Sequence, residues 1–115
     1  MNASTPFEQE FAISSEQRDG ERVIALTGEL DLGTAERLAQ ELERAQADGE
    51  PAIVLDLSGL TFIDSTGLRV IIEADEQLAD GESAWAIVPG PDSVQRVFEL
   101  TGTAERLPFR ASTQG

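Results

Sequence analysis

The run Ala52-Ile53-Val54-Leu55-Asp56-Leu57 is almost wholly apolar and lacks the alternation of a half-exposed strand, and Asp64-Ser65-Thr66-Gly67 follows shortly after it. A short unbroken apolar run reads as a strand covered on both faces, which requires helices packed against its sheet. Ser58-Gly59 then reads as a short turn with Asp56 as its capping residue, and Asp64-Ser65-Thr66-Gly67 as the opening of a helix. Strand, turn and helix in so short a span commit the chain to an α/β fold. They also set a small hydroxyl, Ser65, at a helix N-terminus, where free backbone N–H groups are presented.

The flanking segments agree with that class. Residues Phe7 to Glu16 alternate loosely and lead to Arg18-Asp19-Gly20-Glu21, and Asp-Gly between strand-like runs predicts a hairpin. The second strand, Arg22 to Leu30, is the more apolar and the more central. Asp31-Leu32-Gly33 turns into a helix over Thr34 to Ala47, with an apolar stripe of Ala35, Leu38, Leu42 and Ala45. Asp48-Gly49 ends that helix. The next helix runs from Ser65 to Asp80, with Leu68, Ile71, Ile72, Asp75 and Leu78 mixing burial with polarity, and Gly81 as its stop. A strand over Ser83 to Val88 carries Trp85, read as a core or strand-edge packing residue. Pro89-Gly90-Pro91-Asp92 breaks to a short helix, with Val94, Val97, Phe98 and Thr101 facing inward and Gly102 just past its end. Leu107 to Arg110 is expected to add a short edge strand. The order β-β-α-β-α-β-α(-β) predicts a single α/β domain over residues 7–110, a mostly parallel sheet with an antiparallel N-terminal edge hairpin, and helices packed on it. Flexible tails are expected at residues 1–6 and 111–115.

At 115 residues the chain can bury roughly two thirds of its unfolded surface as one domain. It holds 22 acidic residues against 8 basic ones, all arginine, for a net charge of −14. Such a surface repels phosphate backbones and anionic headgroups, so neither direct nucleic-acid binding nor membrane insertion is expected. There is no Cys, His, Tyr or Lys. That removes Ser–His triads, thiol nucleophiles, Schiff bases, His-ligated zinc and P-loop lysines. The N-terminus lacks the basic and apolar regions of a signal peptide, and no apolar run approaches the ~20 residues needed to span a bilayer. A soluble cytoplasmic protein is expected.

Ser65 supports two readings. In one, Asp64 is the N-cap, accepting from the N–H groups of Thr66 or Gly67, and Gly67 permits close approach of a neighbouring strand or a partner. In the other, Ser65 is an accessible hydroxyl at the C-terminal end of a parallel strand, open to phosphorylation. A phosphate adds about −1.5 to −2 charges beside Asp64. Two unit charges about 4 Å apart interact by about 4 kcal/mol at an effective dielectric of about 20. A third of that is about tenfold in affinity. Asp31, at the end of the second strand, falls on the same sheet edge as Asp64. It reads as a turn aspartate, as a partner contact, or, with Asp64 and Asp56, as part of an oxygen-only metal site. Leu68, Ile71 and Ile72 read as core, with an apolar interface as the alternative. Arg69 reads as solvated, or as a partner for Asp64 or for a phosphate on Ser65.

Three segments resemble one family. Gly28-Glu29-Leu30-Asp31-Leu32-Gly33-Thr34-Ala35 resembles its approach to the first helix. Leu55 through Leu68, with Asp64-Ser65-Thr66-Gly67-Leu68, resembles its phosphorylation segment. Val97-Phe98-Glu99-Leu100-Thr101-Gly102 resembles its last helix. The family is the STAS domain, specifically the stand-alone bacterial anti-sigma factor antagonists. The resemblance implies a partner switch rather than an enzyme. The unphosphorylated chain would bind an anti-sigma factor that is also a serine kinase, freeing a sigma factor for transcription. Phosphorylation of Ser65 would release that partner, and a PP2C-type phosphatase would reverse it. No cofactor is expected on this chain, with no metal and no catalytic residue; ATP and Mg²⁺ belong to the kinase and a metal to the phosphatase. The implied partner-binding residues are Asp31, Asp64, Ser65, Thr66, Gly67, Leu68 and Arg69. Other members of the family serve as scaffolds in stress signalling or as accessory subunits of lipid or anion transporters, and that role is the alternative.

Overall fold

A computed structural model describes residues 11–110. The Asp19-Gly20 loop joins β1 (Ala12–Arg18) to β2 (Glu21–Leu30), with Arg18 paired to Glu21 across it. Both loop residues have positive φ, 54° at Asp19 and 84° at Gly20. Asp and Gly tolerate this left-handed geometry, whose twist suits a two-residue hairpin. The hairpin is therefore as expected, with the first strand over Ala12–Arg18; residues 7–10 of the expected strand lie outside the described residues, as do the expected tails.

Beyond β2 the chain alternates through α1 (Ala35–Ala47), β3 (Ala52–Ile63), α2 (Ser65–Ala79), β4 (Ala84–Val88) and α3 (Asp92–Leu100). The four strands lie in the order β1-β2-β3-β4, antiparallel between β1 and β2 and parallel thereafter. This single α/β domain is the expected fold. The α1 stripe of Ala35, Leu38, Leu42 and Ala45 is buried as its spacing predicts. On α2, Leu68, Ile71 and Leu78 join the core, while Ile72 and Asp75 are half-buried. Ile24, Leu26, Leu30, Ile53, Leu55 and Leu57 supply the sheet side, and Phe98 of α3 sits edge-on to Phe109 at 5.0 Å between ring centres.

Three local expectations are corrected. Ser58-Gly59 is not a turn: β3 continues through it to Ile63. Its extra length is absorbed against β2, because Ala25 pairs with Asp56 but Thr27 with Gly59, and Gly28 with Leu60 but Glu29 with Phe62. Each step inserts one more residue on β3, as a β-bulge does. The local bond that suggested a turn does form, from the Ser58 N–H to Asp56 Oδ1 at 2.9 Å. A Cβ on Gly59 would come within 2.8 Å of the Leu26 carbonyl oxygen, so only glycine lets the strands approach there. Thr101 does not face inward; it is the exposed C-cap of α3, its hydroxyl donating to the Val97 carbonyl at 2.8 Å. Gly102 follows with φ 76°, as a helix-ending residue should. Finally, Leu107–Arg110 forms no strand but a single parallel bridge between Phe109 and Ile87. The Ile87 N–H donates to the Pro108 carbonyl at 3.0 Å, and the Ile87 carbonyl accepts from the Arg110 N–H at 2.9 Å. Pro108, lacking an N–H, cannot continue the ladder.

Candidate functional site

The C-terminal ends of β2 and β3 meet through the Asp64 N–H, which donates to the Leu30 carbonyl at 3.1 Å. Asp64 is extended (φ −113°, ψ −174°) and caps α2 with one carboxylate oxygen, Oδ1, which accepts from the N–H groups of Thr66 (2.9 Å) and Gly67 (3.1 Å). Its second oxygen, Oδ2, accepts from the Leu32 N–H at 3.2 Å. One side chain thus caps α2 and ties it to the loop between β2 and α1. Because Asp64 supplies the cap, the Ser65 hydroxyl is not used for it, and Ser65 stands exposed as the first residue of α2.

The β2–α1 loop is braced from within. Asp31 N–H donates to Thr34 Oγ1 at 2.9 Å, and that hydroxyl donates in turn to the Glu29 carbonyl at 2.9 Å. Asp31 Oδ1 accepts from the Gly33 N–H at 3.0 Å, an Asx-type bond that closes the turn. The Asp31 carbonyl accepts from the Thr34 and Ala35 N–H groups at 3.0 and 2.8 Å, opening α1.

Of the residues the sequence singled out, Asp31 and Asp64 flank this junction, both half-buried. Ser65 and Arg69 are exposed, and Arg69 forms no ion pair among the described residues. Thr66 is half-buried, while Gly67 and Leu68 are buried in the packing of α2 on β2. A Cβ on Gly67 would lie 2.7 Å from Leu30 Cγ, so the first turn of α2 rests directly on that side chain. Asp56 is taken up by Ser58 and does not join Asp31 and Asp64, and the described residues contain no cluster of three or more metal-type ligands.

Sequence reasoning passed over two side chains. Leu32, 78% exposed, and Phe62, 47% exposed, are two of the three exposed large apolar residues among those described. Leu32 had a signal, an apolar residue at the centre of a polar turn. Phe62 was hidden by the supposed turn after Leu57.

The comparisons with known proteins decide the family. The STAS domain matches residues 12–115. This chain belongs to the STAS domain family. It is 30% identical over 101 residues to the anti-sigma-B factor antagonist of Listeria monocytogenes, covering 87% of this chain and 89% of that one. It superimposes on an anti-sigma factor antagonist from Mycobacterium paratuberculosis with a TM-score of 0.82 at 30% identity, covering 96% of this chain and 92% of the other. SpoIIAA, the Bacillus cell fate determinant, shares the STAS fold in its unphosphorylated form (TM-score 0.73, 23% identity, 90% of each chain) and in its phosphorylated form (0.68, 22%, 90% and 93%). No helix among the described residues of this STAS domain is long and apolar enough to cross a membrane.

Proposed function

We propose that this STAS domain is an anti-sigma factor antagonist controlled by phosphorylation of Ser65. Unphosphorylated, it binds an anti-sigma factor that is also a serine kinase and so releases a sigma factor for transcription; phosphorylated, it lets the kinase go. The kinase brings ATP and Mg²⁺, and a PP2C-type phosphatase with its own metal restores the binding form. The chain acts in the cytoplasm as ligand and substrate, without catalysis of its own. The observation that carries this reading is the division of labour between neighbours: Asp64 caps α2, which leaves Ser65 exposed at the sheet edge. The similarity to proteins named as anti-sigma factor antagonists supports the same role.

Release needs no refolding. A phosphate of about −1.5 to −2 charge, buried against a partner, has to be stripped of water and sits beside the Asp64 carboxylate. The test is capture of partners from native lysate on wild-type, Ser65→Ala and Ser65→Glu baits, with melting points measured alongside. Wild type and Ser65→Ala should retain an ATP-binding serine kinase, and Ser65→Glu should lose it while melting at the wild-type temperature. Equal capture by all three, or a membrane transporter as the main prey, would instead support the accessory role. Unfolding by Ser65→Glu would mark the residue as structural.

A further inference from the structure

Single exposed leucines are ordinary on protein surfaces and carry no message alone. Leu32 differs in how it is held. Its own N–H is fastened to Asp64 Oδ2, and the residues on either side are fixed by the Asp31–Gly33 and Asp31–Thr34 bonds. The loop therefore cannot fold this side chain back onto the core without breaking bonds that close the turn and begin α1. A rigidly presented apolar side chain loses little freedom when it is bound, which is what a docking anchor requires.

Position adds a second argument. Among the described residues, the exposed large apolar side chains are Leu32, Phe62 and Leu100. Leu32 is hydrogen-bonded through its N–H to Asp64 and Phe62 is two residues before Asp64 at the end of β3, so two of the three lie on the segments that meet at the residue preceding Ser65. The acidic groups of this segment are Asp31, Asp64 and an exposed Glu36 in the first turn of α1, while the neighbouring Arg37 lies over the Phe11 ring, 5.0 Å from its centre.

We propose that Leu32 is the apolar anchor by which this domain docks on its anti-sigma factor, inserting into an apolar socket of that protein whose rim carries a cation facing Asp31. This rests on the partner-switch reading above and deepens it. The anchor and the switch are separate parts of one surface. Leu32 supplies affinity that is the same in both phosphorylation states, and Ser65 places a charge at the border of the socket. Phosphorylation then acts through the cost of desolvating the phosphate against an apolar wall, with Leu32 left where it was.

The experiment is titration calorimetry of each purified anti-sigma factor kinase of the source genome, in the presence of ADP, against five forms of the full chain: wild type, Leu32→Ala, Leu32→Met, Leu100→Ala and Ser65→Glu. Leu32→Ala should weaken binding about tenfold or more, as truncation of a buried interface anchor does. Leu32→Met, similar in volume and apolar, should stay within about threefold of wild type. Leu100→Ala removes an equally exposed leucine from the end of α3 and should change nothing. All five should share the wild-type melting point, since Leu32 and Leu100 are both exposed. Wild-type affinity in Leu32→Ala, with Ser65→Glu still released, overturns the anchor and leaves the switch standing. Equal losses in Leu32→Ala and Leu100→Ala also overturn it, because the effect would then not be local. If wild type binds none of the kinases, the switch reading fails and the anchor falls with it.

Discussion

Asp64 performs two tasks with two oxygens, and substitution can separate them. Asp64→Ala removes the cap of α2 and the Leu32 tie together. It should cost about 1–2 kcal/mol of stability, lowering Tm by about 3–6 °C per kcal/mol for a domain of this size. Asp64→Asn keeps a capping oxygen, and Asn caps as well as Asp. Its amide nitrogen, however, cannot accept from the Leu32 N–H. Thermal melts should therefore place Asp64→Asn near wild type, while hydrogen exchange at the Leu32 amide rises. Gly67 is a second sensitive residue. A methyl there meets Leu30 Cγ and Cδ2 at 2.7 and 2.8 Å, and Leu30 is fully buried. Gly67→Ala gains about 0.5–1 kcal/mol of helix propensity, against about 1–3 kcal/mol of overpacking. Denaturant titration should show a net loss. The sequence marked both positions, Asp64 as a cap and Gly67 as a point of close approach, because capping and steric freedom are properties of single residues. The bond from Asp64 to Leu32 was not legible, since it spans 32 positions of chain.

At the scale of the element, β3 shows where local reading runs out. Ser58-Gly59 has turn chemistry, and the Asp56–Ser58 bond that such chemistry favours is present. Pairing with β2 nevertheless holds these residues in the strand and reduces the turn to a bulge. The helices fared differently: the apolar stripe of α1 was readable because helical burial follows a fixed period of 3.6 residues. The opposite end of the sheet is held by charge. Arg22 Nη2 reaches Glu50 Oε2 at 2.6 Å and Asp48 Oδ2 at 3.1 Å, while Gln17 donates to the other Glu50 oxygen at 2.7 Å. The hydrogen bond that Arg22 donates to Glu50, with a smaller contribution from the one to Asp48, raises the Arg22 pKa above its already high ordinary value, so the guanidinium stays charged. This cluster fastens the start of β3 to the β1–β2 hairpin. Arg22→Met leaves Glu50 half-buried without its cation and should destabilise by about 1 kcal/mol, the modest figure reflecting solvent access to the pair. Urea unfolding should register the change as a lower midpoint at constant slope.

For the molecule as a whole, one core joins β2 to the segment that follows α3. Phe98 is fully buried, packs in the cluster that includes Ile24, Leu55 and Ile71, and meets Phe109 edge to face. Phe98→Ala should cost about 3–5 kcal/mol, a large share of the roughly 5–15 kcal/mol that holds a domain together. It should melt near or below the growth temperature of a mesophile, and near-ultraviolet circular dichroism should lose the Phe98 and Phe109 signals together. The sequence by itself determined the α/β class, the order of elements, the Asp19-Gly20 hairpin, the apolar stripes and the position of Ser65 at a helix start. Each depends on neighbours along the chain, through backbone preference or a repeating period, and a linear reading contains that information. Only the tertiary structure decided that β3 absorbs its extra residues as bulges, that Leu107–Arg110 adds one bridge instead of a strand, and that the Asp64 carboxylate ties the N–H of the exposed Leu32. Those outcomes depend on groups brought together by the crossovers between parallel strands, where the geometry of pairing outweighs the preference of any one residue.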